Sequence, residues 1–389
     1  MNIFNQQTIG ENQKKIRPII KWTGGKFDEF LMFAKYIPPF TRYFEPFFGG
    51  GGVFFALQPK APSFLNDRSK DLIKFYSLIH SASFKNELFT YANVWDETGE
   101  LARALTIVLL PLYKRFIDGN IKEDILKNSV EKIISNISMP KKYTLFESNF
   151  IIDANRFIKK LNASVIDKCK RIKAISYKEG RVFTDPELGE HIETGIKSGL
   201  YLFLRELTNK QFKGQLQMTD EKTAANWYFV REFCYASMFR YNSKGEFNIP
   251  YGGIAYNKKN FRLKVENIFS EGIKALFKNT QFYNLDFEEF LQETKPGEND
   301  FVFLDPPYDS EFSEYDQNTF TKQDQVRLRD VLLKTPAKWM LVIKETAFIR
   351  SLYSMPECRF IAFDKTYTYN VRGRNNRDTK HLIIVNYDV

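Results

Sequence analysis

The chain has 389 residues, 43% of them apolar, with 38 Phe and 20 Tyr, a length and apolar content that exclude a mostly disordered protein and suffice for two domains with cores of their own. Its 57 Lys and Arg exceed its 47 Asp and Glu to give a formal charge of +10, which suits a polyanionic partner, though an ordinary basic surface reads the same way. The three cysteines, Cys169, Cys234 and Cys358, are scattered without ligand spacing, so neither a disulfide framework nor a metal site is expected.

In chain order, the first segment, Met1-Asn-Ile-Phe-Asn-Gln-Gln7, is polar and does not read as a cleavable signal. A short apolar run at Tyr43-Phe-Glu-Pro46 leads into Phe47-Phe-Gly-Gly-Gly-Gly52 and then a helical stretch. Glycines at a strand-to-helix turn let the backbone approach a ligand closely, or simply make a tight turn. No Gly-Lys-Ser/Thr follows, so a nucleoside triphosphate is not the expected ligand. A strand at Ser63-Phe-Leu-Asn66 ends in Asp67, about 20 residues past the glycines, the spacing of an acidic group that grips a ribose. Asp67 serves equally as N-cap to a helix through Leu72, Ile73 and Tyr76.

The middle of the chain reads as helical. The run Thr106–Tyr113 is too short to cross a bilayer and is expected as a buried helix or strand, so no membrane association is expected; the scattered cysteines make a reducing cytoplasm the expected location. From Asn155 to Ile175, the residues Phe157, Leu161, Val165, Cys169 and Ile172 share one face, with lysines and arginines opposite. Residues 91–280 hold 31 Lys and Arg against 22 Asp and Glu, which concentrates the positive charge there and suits salt-sensitive contact with phosphates. Asn242-Ser-Lys-Gly245, set between aromatic residues, predicts a β-hairpin near 240–252.

Further strands are expected at Gln281-Phe-Tyr-Asn-Leu285, Phe301-Val-Phe-Leu304, Trp339–Ile343 and Leu382–Val385, alternating with helical patterns. That alternation predicts an α/β sheet with ligands gathered at the carboxyl ends of its strands, where Asp67, Asp286 and Asp305 fall. Asp286 is a ligand for a cofactor ring or the N-cap of a helix at Phe287-Glu-Glu-Phe-Leu291. Asp305-Pro-Pro-Tyr308 carries the most chemistry: an exocyclic amine attacks only when acceptors hold its protons. Asp305 is one acceptor and the Pro306 carbonyl another, while Pro307 keeps the exit extended and Tyr308 offers a face for stacking. A basic group around Arg372 and Arg374 reads as a loop over phosphates or as a solvated hairpin tip.

Taken together, Lys21-Trp-Thr-Gly-Gly-Lys26, Phe44-Glu-Pro-Phe-Phe-Gly-Gly-Gly51, Asn66-Asp67, Arg240-Tyr-Asn-Ser-Lys-Gly-Glu-Phe-Asn-Ile-Pro250, Asp286 and Asp305-Pro-Pro-Tyr308 resemble, in order, the motifs of Dam-type (D12 class, alpha-group) DNA adenine-N6 methyltransferases. The resemblance implies S-adenosylmethionine as methyl donor, with Trp22, Lys26, Glu45, Phe47, Gly49, Gly51, Asp67, Asp286, Phe287 and Asp305 at its site. It implies that Asp305, Pro306, Pro307 and Tyr308 hold the target adenine, and that Lys21, Tyr235, Arg240, Asn242, Lys244, Arg372 and Arg374 meet double-stranded DNA.

The expected architecture is a Rossmann-like α/β methyltransferase fold, with residues 1–90 and 281–389 forming a discontinuous catalytic domain and 91–280 a helical target-recognition insert. Methylation of a flipped adenine for restriction-modification or epigenetic marking follows, with a cognate restriction endonuclease as a possible partner. An RNA adenine or cytosine-N4 methyltransferase, a DNA-binding protein without turnover, and a small-molecule methyltransferase are the alternatives. The basic insert and the Arg240 hairpin stand against the last.

Overall fold

The computed structural model describes residues 16–22, 24–137, 143–147, 149–238, 241–307, 320–366 and 378–389. Two compact units divide the chain: residues up to Ile79 with Phe269–Val389 form one, and His80–Ile268 the other. Position 90–91 lies within a single helix, Ala82–Ile117, and 280–281 within a strand.

The first unit is a mixed α/β structure on a seven-stranded sheet. Its strands are β1 (Tyr43–Glu45), β2 (Ser63–Asn66), β3 (Thr280–Tyr283), β4 (Phe301–Leu304), β5 (Lys338–Lys344), β6 (Arg359–Thr366) and β7 (Asp378–Val385), in the order β3-β2-β1-β4-β5-β7-β6. The first five are parallel, and β7 runs antiparallel between β5 and β6. Successive strands move outward one way from β1 to β3 and the other way from β4 to β5, so the direction of crossover reverses between β1 and β4.

Continuous apolar runs form these strands because both sheet faces are covered. In β4, Val302 and Leu304 join Phe290, Leu328, Trp339 and Leu341 in one core cluster. On alternate positions, Phe301 stacks on Phe40 at 5.8 Å and Phe303 on Phe33 at 5.6 Å. The expected strands at 43, 63, 281, 301, 339 and 382 all form; β6 has no counterpart in the sequence reading.

The second unit is built chiefly on the helices Ala82–Ile117, Glu123–Ile137, Ala154–Glu179, Asp185–Phe212 and Asp220–Phe233. Side chains of Ser81, Asp153, Thr184 and Thr219 cap four of them by accepting an early backbone N–H. The run at 106–113 lies inside the first helix, and the third buries Phe157, Leu161, Val165, Cys169 and Ile172 on one face, as the periodicity predicts. Gly195 and Gly199 let the fourth helix approach the third closely: a Cβ on Gly199 would fall 2.8 Å from the Leu161 Cα, and one on Gly195 would fall 3.2 Å from that of Val165.

The expected hairpin near 240–252 forms in part: among the described residues its arms are joined by two isolated antiparallel bridges, Tyr241 with Phe247 and Cys234 with Tyr251, and the Tyr235 N–H donates to the Pro250 carbonyl at 2.9 Å. Several other backbone groups of the turn are held by side chains. The Asn242 side-chain oxygen accepts from the N–H of Lys244 and of Glu246, at 2.9 and 3.0 Å. Three side chains one turn apart on Asp185–Phe212 hold the following residues: the Tyr201 hydroxyl donates to the Ile249 carbonyl, Arg205 donates to the Asn248 and Ile249 carbonyls, and Asn209 pairs with both backbone groups of Phe247.

Candidate active site

The carboxyl ends of β1, β2, β3 and β4 are tied together by short polar contacts. Asn66, buried at the end of β2, donates through its amide to the carbonyls of Pro46 and Leu285 at 3.0 and 3.1 Å and accepts from the Leu285 N–H at 2.9 Å. Asp67 follows. Its two carboxylate oxygens accept from the N–H groups of Gly49 and Ser69, each at 2.8 Å. It thereby pins the glycine loop to the β2 exit, while Ser69, not Asp67, is the N-cap residue of the helix Lys70–Ser77.

Gly49 and Gly51 have φ of +51° and +71°, backbone that favours glycine. Close approach explains the others. A Cβ on Gly50 would lie 2.7 Å from the Trp22 Cβ, and one on Gly52 would lie 2.8 Å from the Lys26 backbone N. The segment bearing Trp22 and Lys26 therefore rests on the loop. Lys26 is 2% exposed; its ammonium donates to the Gly24 carbonyl at 2.9 Å and to the two Asp305 oxygens at 2.7 and 2.8 Å. Lys21 is exposed and Trp22 half-buried.

Glu45 lies in β1 between these groups, 2% exposed, with Oε2 accepting from the Tyr43 hydroxyl at 2.8 Å. Burial raises its carboxyl well above the usual glutamate value; the Tyr43 hydrogen bond opposes that, and the nearby carboxylates of Asp305 and Asp67 add to it. The site thus brings together Lys26, Glu45, Asp67, Asp305 and the glycine loop.

Asp286 combines the two roles left open by its position. It caps Phe287–Thr294, accepting from the Glu288 N–H at 3.0 Å, and it lines a cavity of about 730 Å³ with Arg68, Asn284, Leu285, Glu288 and Arg327. Arg68 and Arg327 donate to its two oxygens at 3.0 and 2.5 Å. Phe47, half-buried, and Phe287, 3% exposed, pack at 5.6 Å between ring centroids. Phe320 lies 5.5 Å from the first and 5.7 Å from the second, and the Arg327 guanidinium is 4.7 Å over the Phe287 ring.

Beyond β4, Pro306 is buried and Pro307 exposed, and the Pro307 carbonyl accepts from the Gln325 amide at 3.2 Å. Tyr308 lies outside the described residues, as do Arg240, Arg372 and Arg374.

In the second unit, Tyr235 is 51% exposed, beside Ala236 and Ser237 with φ of +54° and +52°. The Tyr256 hydroxyl accepts from the Ala236 N–H at 3.1 Å. Lys244 is exposed, whereas the Asn242 amide also donates to the Glu246 carboxylate at 3.0 Å, so both ends of that side chain are engaged inside the turn.

Sequence reasoning missed Arg68, Arg327, Gln325 and Tyr256. For Gln325 a signal existed: it occupies the same helical face as Leu328 and Leu332, a polar residue on an apolar stripe.

The chain is 33% identical over 205 residues to the type II methyltransferase M.CviBI of Paramecium bursaria Chlorella virus NC1A, covering 50% of this chain and 75% of that one. It is 23% identical over 391 residues to the type II methyltransferase M1.LlaDCHI of Lactococcus lactis subsp. cremoris, covering 97% and 98%. Against the DNA adenine methylase of Vibrio cholerae it is 28% identical over 159 residues, 39% of this chain and 54% of that one. A family model matches residues 22–100 and 123–370, which span the glycine loop, Asp67, Asp286 and Asp305. The methyl donor of that family is S-adenosylmethionine. With the match covering most of its length, this chain belongs to the D12 class N6 adenine-specific DNA methyltransferases.

Proposed function

We propose that the first unit is a Rossmann-like methyltransferase domain that binds S-adenosylmethionine at the carboxyl ends of β1 to β4, and that His80–Ile268 is the target-recognition unit for double-stranded DNA. The reversal of crossovers between β1 and β4 supports the former, since open α/β sheets take ligands at such points. The donor set fits the cofactor. A carboxylate past the end of β2, Asp67, suits a ribose diol and a nearby sulfonium charge, and the rings of Phe47 and Phe287 with the Asp286 carboxylate suit an aminopurine. When bound, S-adenosylmethionine supplies a methyl group already activated for transfer. Trp22, Lys26, Glu45, Gly49 and Gly51 shape the same site.

The target adenine is drawn from the duplex at a cost of a few kcal/mol of unstacking. Asp305 and the Pro306 carbonyl accept the two hydrogens of its amine, Pro307 holds the strand exit extended, and Tyr308 stacks on the ring. A carboxylate has about four lone-pair sites, more than the two that Lys26 occupies. With both hydrogens held, the nitrogen presents its lone pair, and the rate comes chiefly from positioning. Lys21, Tyr235, Arg240, Lys244, Arg372 and Arg374 contact DNA, and Asn242 shapes the turn that carries Lys244. Relatives named as type II methyltransferases favour a restriction-modification role; a cognate endonuclease and a cytoplasmic setting belong to the same proposal. Among the described residues no helix is long and apolar enough to cross a membrane.

The observation that carries the reading is Lys26, seated on the glycine loop and held between both oxygens of Asp305. The test is to incubate the protein with S-adenosylmethionine and unmethylated genomic DNA and to map modified bases at single-nucleotide resolution. N6-methyladenine within one short motif, absent with Asp305→Ala, is the expected result. Adenine methylation at a near-normal rate by Asp305→Ala would overturn the assignment of the site.

A further inference from the structure

The strand exit at Asp305-Pro306-Pro307 has an unusual mechanical problem. Neither proline has a backbone N–H, so Pro306 and Pro307 cannot anchor themselves by donating backbone hydrogen bonds, and donors that reach their carbonyls add to the hold of the Lys26 contact on Asp305 and the burial of Pro306. One such donor is the Gln325 amide, 3.2 Å from the Pro307 carbonyl. Gln325 is 0% exposed and stands in the second turn of the helix Lys322–Lys334, whose start is fixed by the reciprocal cap of Thr321 and Asp324. Its neighbours on that face, Leu328 and Leu332, are apolar and buried.

A buried amide here is a poor choice for packing alone. Among the described residues, its side-chain oxygen has no hydrogen-bond partner, and an unsatisfied buried acceptor is destabilising. A methionine would fill the same space without that penalty. What the amide supplies, and an apolar side chain cannot, is the N–H directed at Pro307.

We propose that Gln325 is a positioning residue for methyl transfer: by holding the Pro307 carbonyl it sets the orientation of the Asp305-Pro306 acceptor pair. The inference rests on the reading of that pair as the holder of the target amine. Gln325 acts through the backbone and not on the adenine or the cofactor. Its loss therefore slows the transfer step far more than it weakens cofactor binding.

Two variants test it in the full chain, with single-turnover methyl transfer at saturating duplex DNA and S-adenosylmethionine, cofactor Kd and thermal midpoint as readouts. Gln325→Met keeps length and helix propensity and removes the donor. A rate about tenfold lower is expected, the kinetic equivalent of one hydrogen bond, with cofactor Kd within about twofold of the parent. Gln325→Glu donates to Pro307 only while protonated and repels its carbonyl when ionised. Its rate relative to the parent falls as pH rises, whereas that of Gln325→Met stays flat, a distinction that a purely structural role would not produce.

A Gln325→Met rate within about twofold of the parent, or a flat ratio for Gln325→Glu across the pH range, would overturn the proposal. Asp305→Ala, run alongside, separates the two levels. If it is inactive while Gln325→Met is unimpaired, the positioning role alone fails; if it is active, the acceptor reading itself fails.

Discussion

The Lys26 ammonium sits between the two carboxylate oxygens of Asp305, at 2.7 and 2.8 Å, with the two side chains 1% and 18% exposed. Removing one member of such a pair strands charge in a poorly solvated place, a loss on the order of 3 kcal/mol. Lys26→Met should therefore lower the unfolding midpoint in urea and abolish turnover. Adding Asp305→Asn to it should return most of the stability and none of the activity. Equal stability of the single and double variants would show that the pair is not the source of the loss.

The glycines differ in what they permit. Gly52→Ala places a Cβ 2.8 Å from the Lys26 backbone N and 3.0 Å from that of Phe27, atoms that cannot swing aside. A loss of about 1–3 kcal/mol is expected, together with weaker cofactor binding by calorimetry. Gly189→Ala is the opposite case. That glycine lies inside the helix Asp185–Phe212, and its Cβ would meet the Thr106 Cγ2 at an ordinary 3.5 Å. It should raise stability by up to about 1 kcal/mol.

Glu45 makes stability depend on pH in a direction opposite to a salt-bridged carboxylate. Its folded pKa is raised, first by burial, so the folded chain binds more protons than the unfolded one between the usual glutamate value and the raised one. The contribution of the protonated carboxyl is fully present below the usual value and is lost as pH rises through the raised one. Glu45→Gln, which keeps an oxygen for the Tyr43 hydroxyl, should match the parent at acid pH and become progressively more stable than it as pH rises. Urea titrations at several pH values measure this; parallel curves would contradict it.

Ala236 and Ser237, both at positive φ without being glycine, hold strain of about 1 kcal/mol each. Ser237→Gly should relieve it and raise the thermal midpoint. Tyr256→Phe should lower it, because the Ala236 N–H loses its acceptor. The ring of Tyr256 itself is accommodated by Gly252, where a Cβ would fall 2.4 Å from it. If the turn presents Tyr235 to DNA, both variants should also weaken duplex affinity while leaving cofactor Kd unchanged.

What could be read from the sequence depended on how local the physics was. The run Phe301–Leu304 declared a buried strand because each residue satisfies one face or the other, and the glycine loop, Asp67 and Asp305 fell where strands end. Asp286 was legible only as a choice between capping and ligand roles, and the structure gives it a cap, two arginines and a cavity wall at once. The arginines came from positions 68 and 327, and no local pattern links them. The turn after Tyr241 looked like a ribbon because its composition is that of one. Two antiparallel bridges do form, but the backbone groups of Phe247, Asn248 and Ile249 are also held by Tyr201, Arg205 and Asn209, whose reach across the chain no periodicity records.

The chain leaves the first unit after Ile79 and re-enters it at Phe269, between two neighbouring strands of one sheet, β2 and β3. On the ribosome this imposes a schedule. At about 5–20 residues per second, the stretch from 80 to 268 takes roughly 10–40 s to emerge, and throughout that time β1 and β2 exist without β3, β4 or β5. The helical unit is available to fold first, and the nascent sheet must wait with two strand edges open. Slow synthesis or premature termination within residues 80–268 would leave β1 and β2 with open edges, the kind of surface on which chains aggregate.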